Sequence, residues 1–120
     1  MQEQNAKVVV ECKIVVSDVL GEKKVTLDAF YERERIEEDI YVRLINNDDE
    51  LLNAVESDVL LAASEEAALA NIAVEQWEFT QRKHYIEGFS DFYEATVENE
   101  EELEAGTEIK FKVEVEVSEE

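Results

Sequence analysis

Apolar and polar residues alternate over long stretches of this chain, and the alternation marks out most of its elements. In residues 7–16, Val8, Val10, Cys12, Ile14 and Val16 share one face of an extended segment. Val9 and Val15 keep the opposite face partly apolar, as in a central strand. Gly21 supplies a turn, and Val25, Leu27, Ala29 and Tyr31 then line one face of a second strand over 24–31, which predicts an N-terminal hairpin. The β-branched and aromatic content of 40–45 predicts a third strand. In 77–85, Trp77, Phe79, Gln81, Lys83 and Tyr85 alternate with Glu78, Thr80, Arg82 and His84 as a fourth strand. Gly88 marks a tight turn, and 89–97 forms its hairpin partner. The last strand has the cleanest pattern: Ile109, Phe111, Val113, Val115 and Val117 face in, while Lys110, Lys112, Glu114 and Glu116 face out.

One segment has helical spacing instead. Leu52, Val55, Val59, Ala62, Ala63, Ala67, Ala70 and Val74 follow at steps of mostly three and four, which predicts a helix over 47–74. Asn47 and Glu50 fit a capping box, and Asp48, Asp49 and Glu50 place negative charge where the helix dipole favours it. Ser64, Glu65 and Glu66 offer an internal cap that would split the segment in two. Between Ala67 and Val74 only Asn71 is polar, so this half is expected to be buried on more than one side, in core packing or in an oligomer contact. Strands before and after one long helix predict an α+β fold. The expected architecture is a mainly antiparallel sheet of five to six strands, with the helix packed on one face. The expectation is a single domain over residues 1–120, with no linker and no internal repeat.

Charge changes this picture more than any motif does. The chain holds 32 acids against 11 Lys and Arg, a formal net charge of -21 over 120 residues. The imbalance is uneven: residues 1–31 sum to -1 and residues 32–120 to -20. A hydrophobic content of 45% still argues for a folded core. Adaptation to high salt, which brings many Asp, fits poorly with 25 Glu against 7 Asp. No secretory signal or long apolar span is visible, so a soluble, cytoplasmic protein is expected, in a host cytoplasm if viral. The lone Cys12 has no intramolecular disulfide partner.

Catalytic and cofactor chemistry finds little support. No Asp-x-Asp-x-Asp-Gly loop ends in Glu, and one His with one Cys cannot build a zinc site without carboxylates. The run from Asn46 to Glu50 offers oxygen ligands for a hard cation, but capping explains it better. Three glycines cannot write a phosphate-cradling loop. His84 has Ser90 or Ser17 as conceivable nucleophile partners, and no elbow motif surrounds either serine. The expectation is a non-enzyme with no cofactor, no metal, no membrane and no direct nucleic-acid contact. Arg82, Lys83 and His84 with Trp77, Phe79 and Tyr85 form the one basic–aromatic cluster, and Trp77 and Phe79 are read there as core.

A rigid domain covered in carboxylates can reproduce the field of a phosphate backbone and dock on a basic groove. In charge and size alone, this chain is similar to the small acidic DNA mimics that phages use against restriction, CRISPR or repair enzymes. The expected partner is the basic surface of a nucleic-acid-binding or defence protein. The expected contacts are Glu98, Glu100, Glu101, Glu102 and Glu104, then Glu32, Glu34, Glu37, Glu38 and Asp39, then Asp48 and Asp49. The plain reading of each is a solvated surface charge. A reading from a different class is a structural or assembly subunit, of a virion or multiprotein complex, that uses the apolar helix half and the sheet for homo-oligomer contacts.

Overall fold

The computed structural model describes residues 5–118. In chain order the elements are β1 (Asn5–Val19), β2 (Glu22–Glu32), α1 (Glu38–Ile45), α2 (Asp49–Leu69), β3 (Val74–His84), β4 (Gly88–Val97) and β5 (Glu108–Ser118). Single 3-10 turns lie at Arg33–Arg35 and Glu100–Glu102. The strands form one antiparallel sheet in the order β3-β4-β2-β1-β5. The fold is α+β, with α2 laid across one face of the sheet against β5, β1 and β3. Val8, Val10, Ile14, Leu27, Ala29 and Tyr31 on that face are fully buried beneath the helical layer, as are Val55, Val59 and Ala63 of α2.

Turn chemistry sets the strand joints. Leu20 and Gly21 both take positive φ, 53° and 86°, which is the geometry of a two-residue hairpin turn. The carboxylate of Asp18 accepts a hydrogen bond from the Gly21 N–H at 2.9 Å. Gly88 closes the tight turn from β3 to β4: its carbonyl oxygen accepts from the Tyr85 N–H at 2.7 Å, and its own N–H donates to Tyr85 O at 3.4 Å. It opens β4 opposite Glu32, and a Cβ there would lie 1.9 Å from the Tyr31 carbonyl oxygen, so only glycine fits.

Two expectations about the helical segment are corrected. The predicted third strand over 40–45 is the helix α1, which buries Ile40, Tyr41 and Leu44 on one side. Its N-terminal acids Glu38 and Asp39 and its last-turn Arg43 suit the helix dipole, and that signal was present in the sequence. Asn47 does not cap the long helix. It sits at φ 57° just past α1, where its N–H donates to Leu44 O and the Asp48 N–H donates to Arg43 O, a Schellman closure. Asp48 caps α2 instead, accepting from the Leu51 N–H at 3.3 Å.

The helix itself is one piece, and Ser64 lies inside it, accepting from the Trp77 indole N–H at 3.0 Å. It ends at Leu69 in a second Schellman closure, with Asn71 at φ 63° and the Ile72 N–H bonded to Ala67 O. Ala67 and Ile72 are buried but Leu69 is 82% exposed, so the expected burial of 67–74 on more than one side does not occur.

Candidate functional site

The sequence-predicted carboxylates fall into three groups on this frame. Glu98, Glu100, Glu101, Glu102 and Glu104 occupy the connection from β4 to β5, and all five are exposed. Asn99 fixes this loop to the end of α2: its side chain accepts from the Ala73 N–H at 2.9 Å and donates to Asn71 O at 2.6 Å. The carboxylates are therefore held beside the C-terminal, electronegative end of a helix that carries no basic residue in its last turn. Among the described residues, no Lys or Arg lies within ion-pair distance of any of the five.

The second group is split by its ion pairs. Glu32 ends β2 and binds Arg35 at 2.9 Å, while Glu38 in the first turn of α1 lies 3.6 Å from Arg33. Glu34, Glu37 and Asp39 are exposed and belong to none of the ion pairs among the described residues. Register places this group and the acidic loop at opposite ends of β4, because Gly88 faces Glu32 and Val97 faces Val74. Ten strand residues set them about 30 Å apart.

In the third group, Asp48 is bound to the Arg43 guanidinium at 2.9 Å as well as to the helix end. The Arg43 hydrogen bond, aided by the Leu51 N–H, holds its carboxyl below the usual value. Asp48 thus has a structural task, whereas Asp49 beside it is exposed.

Helical spacing joins the outer groups through residues that the sequence-based site omits. Glu50, Asp58 and Glu65 are exposed on α2 and lie within about a quarter-turn of one another on its outer side. They form a ridge from Asp49 to the acidic loop. From Leu44 to Gln81 the chain has no Lys or Arg, and from His84 to Ile109 it has none either. Six of the seven lysines (Lys7, Lys13, Lys24, Lys83, Lys110 and Lys112) register instead on the sheet face that no helix covers. Glu11, Asp28, Glu94, Glu114 and Glu116 interleave with them there.

A second site candidate lies under the start of α2, in a recess of about 360 Å³ that includes Asn47, Glu56, Phe79, Arg82, His84 and Asp91. Asp91 is 1% exposed and takes a bidentate hold on Arg82, at 2.6 and 2.9 Å. That bond to Asp91 is the main cause of the raised pKa of the Arg82 guanidinium. The third guanidinium nitrogen donates to Leu44 O and Asn47 Oδ1, and the plane lies 4.3 Å over the Phe89 ring. All three nitrogens of Arg82 are thus engaged within the chain, which makes it a staple from the sheet to the α1–α2 junction.

A bulge makes that staple possible. Phe79 pairs with Tyr93 and Gln81 with Phe92, so Thr80 is extra and the alternation of β3 flips behind it. Trp77, Phe79, Arg82 and His84 consequently share the helix side, where strict alternation separates Arg82 from Phe79. Trp77 is half-buried as expected of a core residue, but Phe79 is 50% exposed at the rim of the recess. His84 pairs with Phe89 on the helix side and Ser90 with Lys83 on the other, so the conceivable Ser–His couple is divided by the sheet. Among the described residues no three His, Cys, Asp or Glu side chains converge as metal ligands, and no helix is long and apolar enough to cross a membrane. The chain matches no protein-family model, and searches of curated proteins and of solved structures return no match to it.

Proposed function

We propose that this chain is a non-enzymatic acidic interaction protein that docks on the basic groove of a nucleic-acid-binding or defence protein and blocks it as a nucleic-acid mimic. The observation that carries the reading is the segregation of charge. The helical ridge and the loop 98–104 hold exposed carboxylates with no lysine among them, while six of the seven lysines lie on the far sheet face. Carboxylates beside the negative end of α2 gain nothing from the helix dipole, and a cationic partner would relieve both repulsions. Density supports the analogy. The long axis of the molecule is 54 Å, and B-DNA of that length carries about 32 phosphate charges, so a net of -21 is about two-thirds of the duplex value.

The test is displacement of labelled DNA from a panel of nucleic-acid-binding proteins. The expected result is displacement that weakens at least about tenfold between roughly 0.05 and 0.5 M salt. Replacing Glu100 and Glu101 with Lys should weaken it more than the same charge change at Asp18 and Glu22 on the β1–β2 turn. Equal losses from the two pairs, or no displacement from any protein tested, would remove the reading.

One observation favours the assembly-subunit alternative: Leu61 and Leu69 on the same helical ridge are 63% and 82% exposed. A salt-insensitive complex that is lost on changing both leucines to Gln would select it.

A further inference from the structure

The two edges of the sheet are built differently. The β3 edge is interrupted twice, between Val74 and Gln76 and between Phe79 and Gln81, and such bulges spoil an edge as a template for pairing. The β5 edge has no interruption: its register against β1 runs unbroken from Asn5 opposite Ser118 to Val15 opposite Glu108. Among the described residues its outer side pairs with nothing. It holds no proline and no inward charge, two of the usual protections of a lone edge. Ile109 and Phe111 remain only half-buried under the helical layer.

The order of charges along β5 is self-complementary. Two lysines, Lys110 and Lys112, precede Val113, and two glutamates, Glu114 and Glu116, follow it. We propose that β5 is the contact of a twofold-symmetric dimer, pairing antiparallel with the β5 of a second copy about Val113 to make one continuous ten-stranded sheet. In that register Lys112 faces the second copy's Glu114 and Lys110 faces its Glu116, and symmetry repeats both pairs. On the helix side Phe111 meets Val115, and Ile109 meets Val117. Opposite charges directly across an antiparallel pair stabilise it and like charges weaken it, so the pattern also fixes the register. Moving the axis to Lys112 sets Lys112 against itself and Glu108 against Glu116, and moving it to Glu114 sets Glu114 against itself.

Glu114 is available for the exchange, since its contact with Lys7 is long, at 3.9 Å, with both side chains more than half exposed. Repulsion between two acidic copies acts over long range, and at about 0.15 M salt it is screened beyond roughly 8 Å, whereas facing side chains on paired strands lie closer than that. The contact is isologous, so it closes at two copies. It does not depend on the mimic reading.

Sedimentation of the full chain at about 100 μM and physiological salt is expected to give twice the 13.8 kDa monomer mass. The double variant Lys110→Glu with Lys112→Glu, and the double variant Glu114→Lys with Glu116→Lys, should each be monomeric. Mixed in equal amounts they should form a heterodimer, and the quadruple exchange should restore the homodimer. Circular dichroism checks that each variant is folded. Hydrogen exchange of the unaltered protein supplies a reading that needs no variant: amides of β5 should slow as concentration rises, while those of β3 do not change. A monomer throughout, double variants that dimerise like the parent, or concentration-dependent protection on β3 would each overturn the proposal.

Discussion

The helical layer rests on two dissimilar halves of one sheet. Over β1, β2 and β5 the contact is dry and aliphatic, made by residues such as Val8, Val10, Ile14, Val16, Leu27 and Val115, each at most 3% exposed. Over β3 and β4 the same layer meets a buried ion pair, the Tyr93 hydroxyl donating to Glu56 at 2.8 Å, and the Trp77 indole donating to Ser64. Tyr31 sits between the halves, stacked on Phe89 at 4.5 Å, with a buried hydroxyl that has no partner among the described residues. The dry half supplies burial energy without regard to direction. The polar half is directional, and through Arg82 it decides where α1 ends and α2 begins.

Measurements of stability, ionisation and thiol access would break or sharpen this contrast. Replacing Asp91 with Ala leaves a buried guanidinium without its carboxylate and should cost about 3–5 kcal/mol by denaturant unfolding. Arg82→Met combined with Asp91→Leu should recover much of that loss, and failure to recover it would show that the pair contributes stability rather than placement. In the dry half Leu27→Ala should cost about 2–5 kcal/mol as a cavity, without loosening α1.

Alkaline pH should act on the aromatic seam. Burial, as the largest cause, raises the pKa of both Tyr31 and Tyr93 above the ordinary tyrosine value. Each is therefore neutral when folded, so its contribution is complete below the unfolded pKa of about 10 and is lost as pH rises above it. Absorbance should show these two rings ionising together with unfolding. The smallest effect on stability belongs to Tyr93→Phe, about 1 kcal/mol, because the half-exposed Glu56 can turn to water. A loss equal to that of Asp91→Ala would merge the seam and the ion pair into one network. Cys12 lies in the dry half at 4% exposure, and burial, aided by Asp28, pushes its thiol up to about 12. Thiol reagents should accordingly label it only at the rate at which the sheet opens.

β1, β2 and β5 were legible because each alternates over many residues, and β5 is matched to within a residue at either end. The 40–45 segment was misassigned because a short run of Ile, Tyr, Val and Leu has no period long enough to separate strand from helix. The acids Glu37, Glu38 and Asp39 before it mark a helix start. Asn47 shows the same limit, since one residue type closes a helix or opens one according to its φ. Of the acidic surface, the loop 98–104 could be read from its run of glutamates. Glu50, Asp58 and Glu65 join it only through helical phase, and the facing of Arg82 rests on a bulge that composition does not announce.

That bulge also sets how the chain tolerates a change of length. Loss of Thr80 or Gln81 would leave Phe79 opposite Tyr93 and Arg82 opposite Asp91, because the surplus position absorbs the deletion. In β5, whose register holds no surplus, loss of Val113 would invert every side chain on one side of the cut and carry lysines into the core. One strand of this sheet therefore has a spare letter in its reading frame, and the strand at the opposite edge has none.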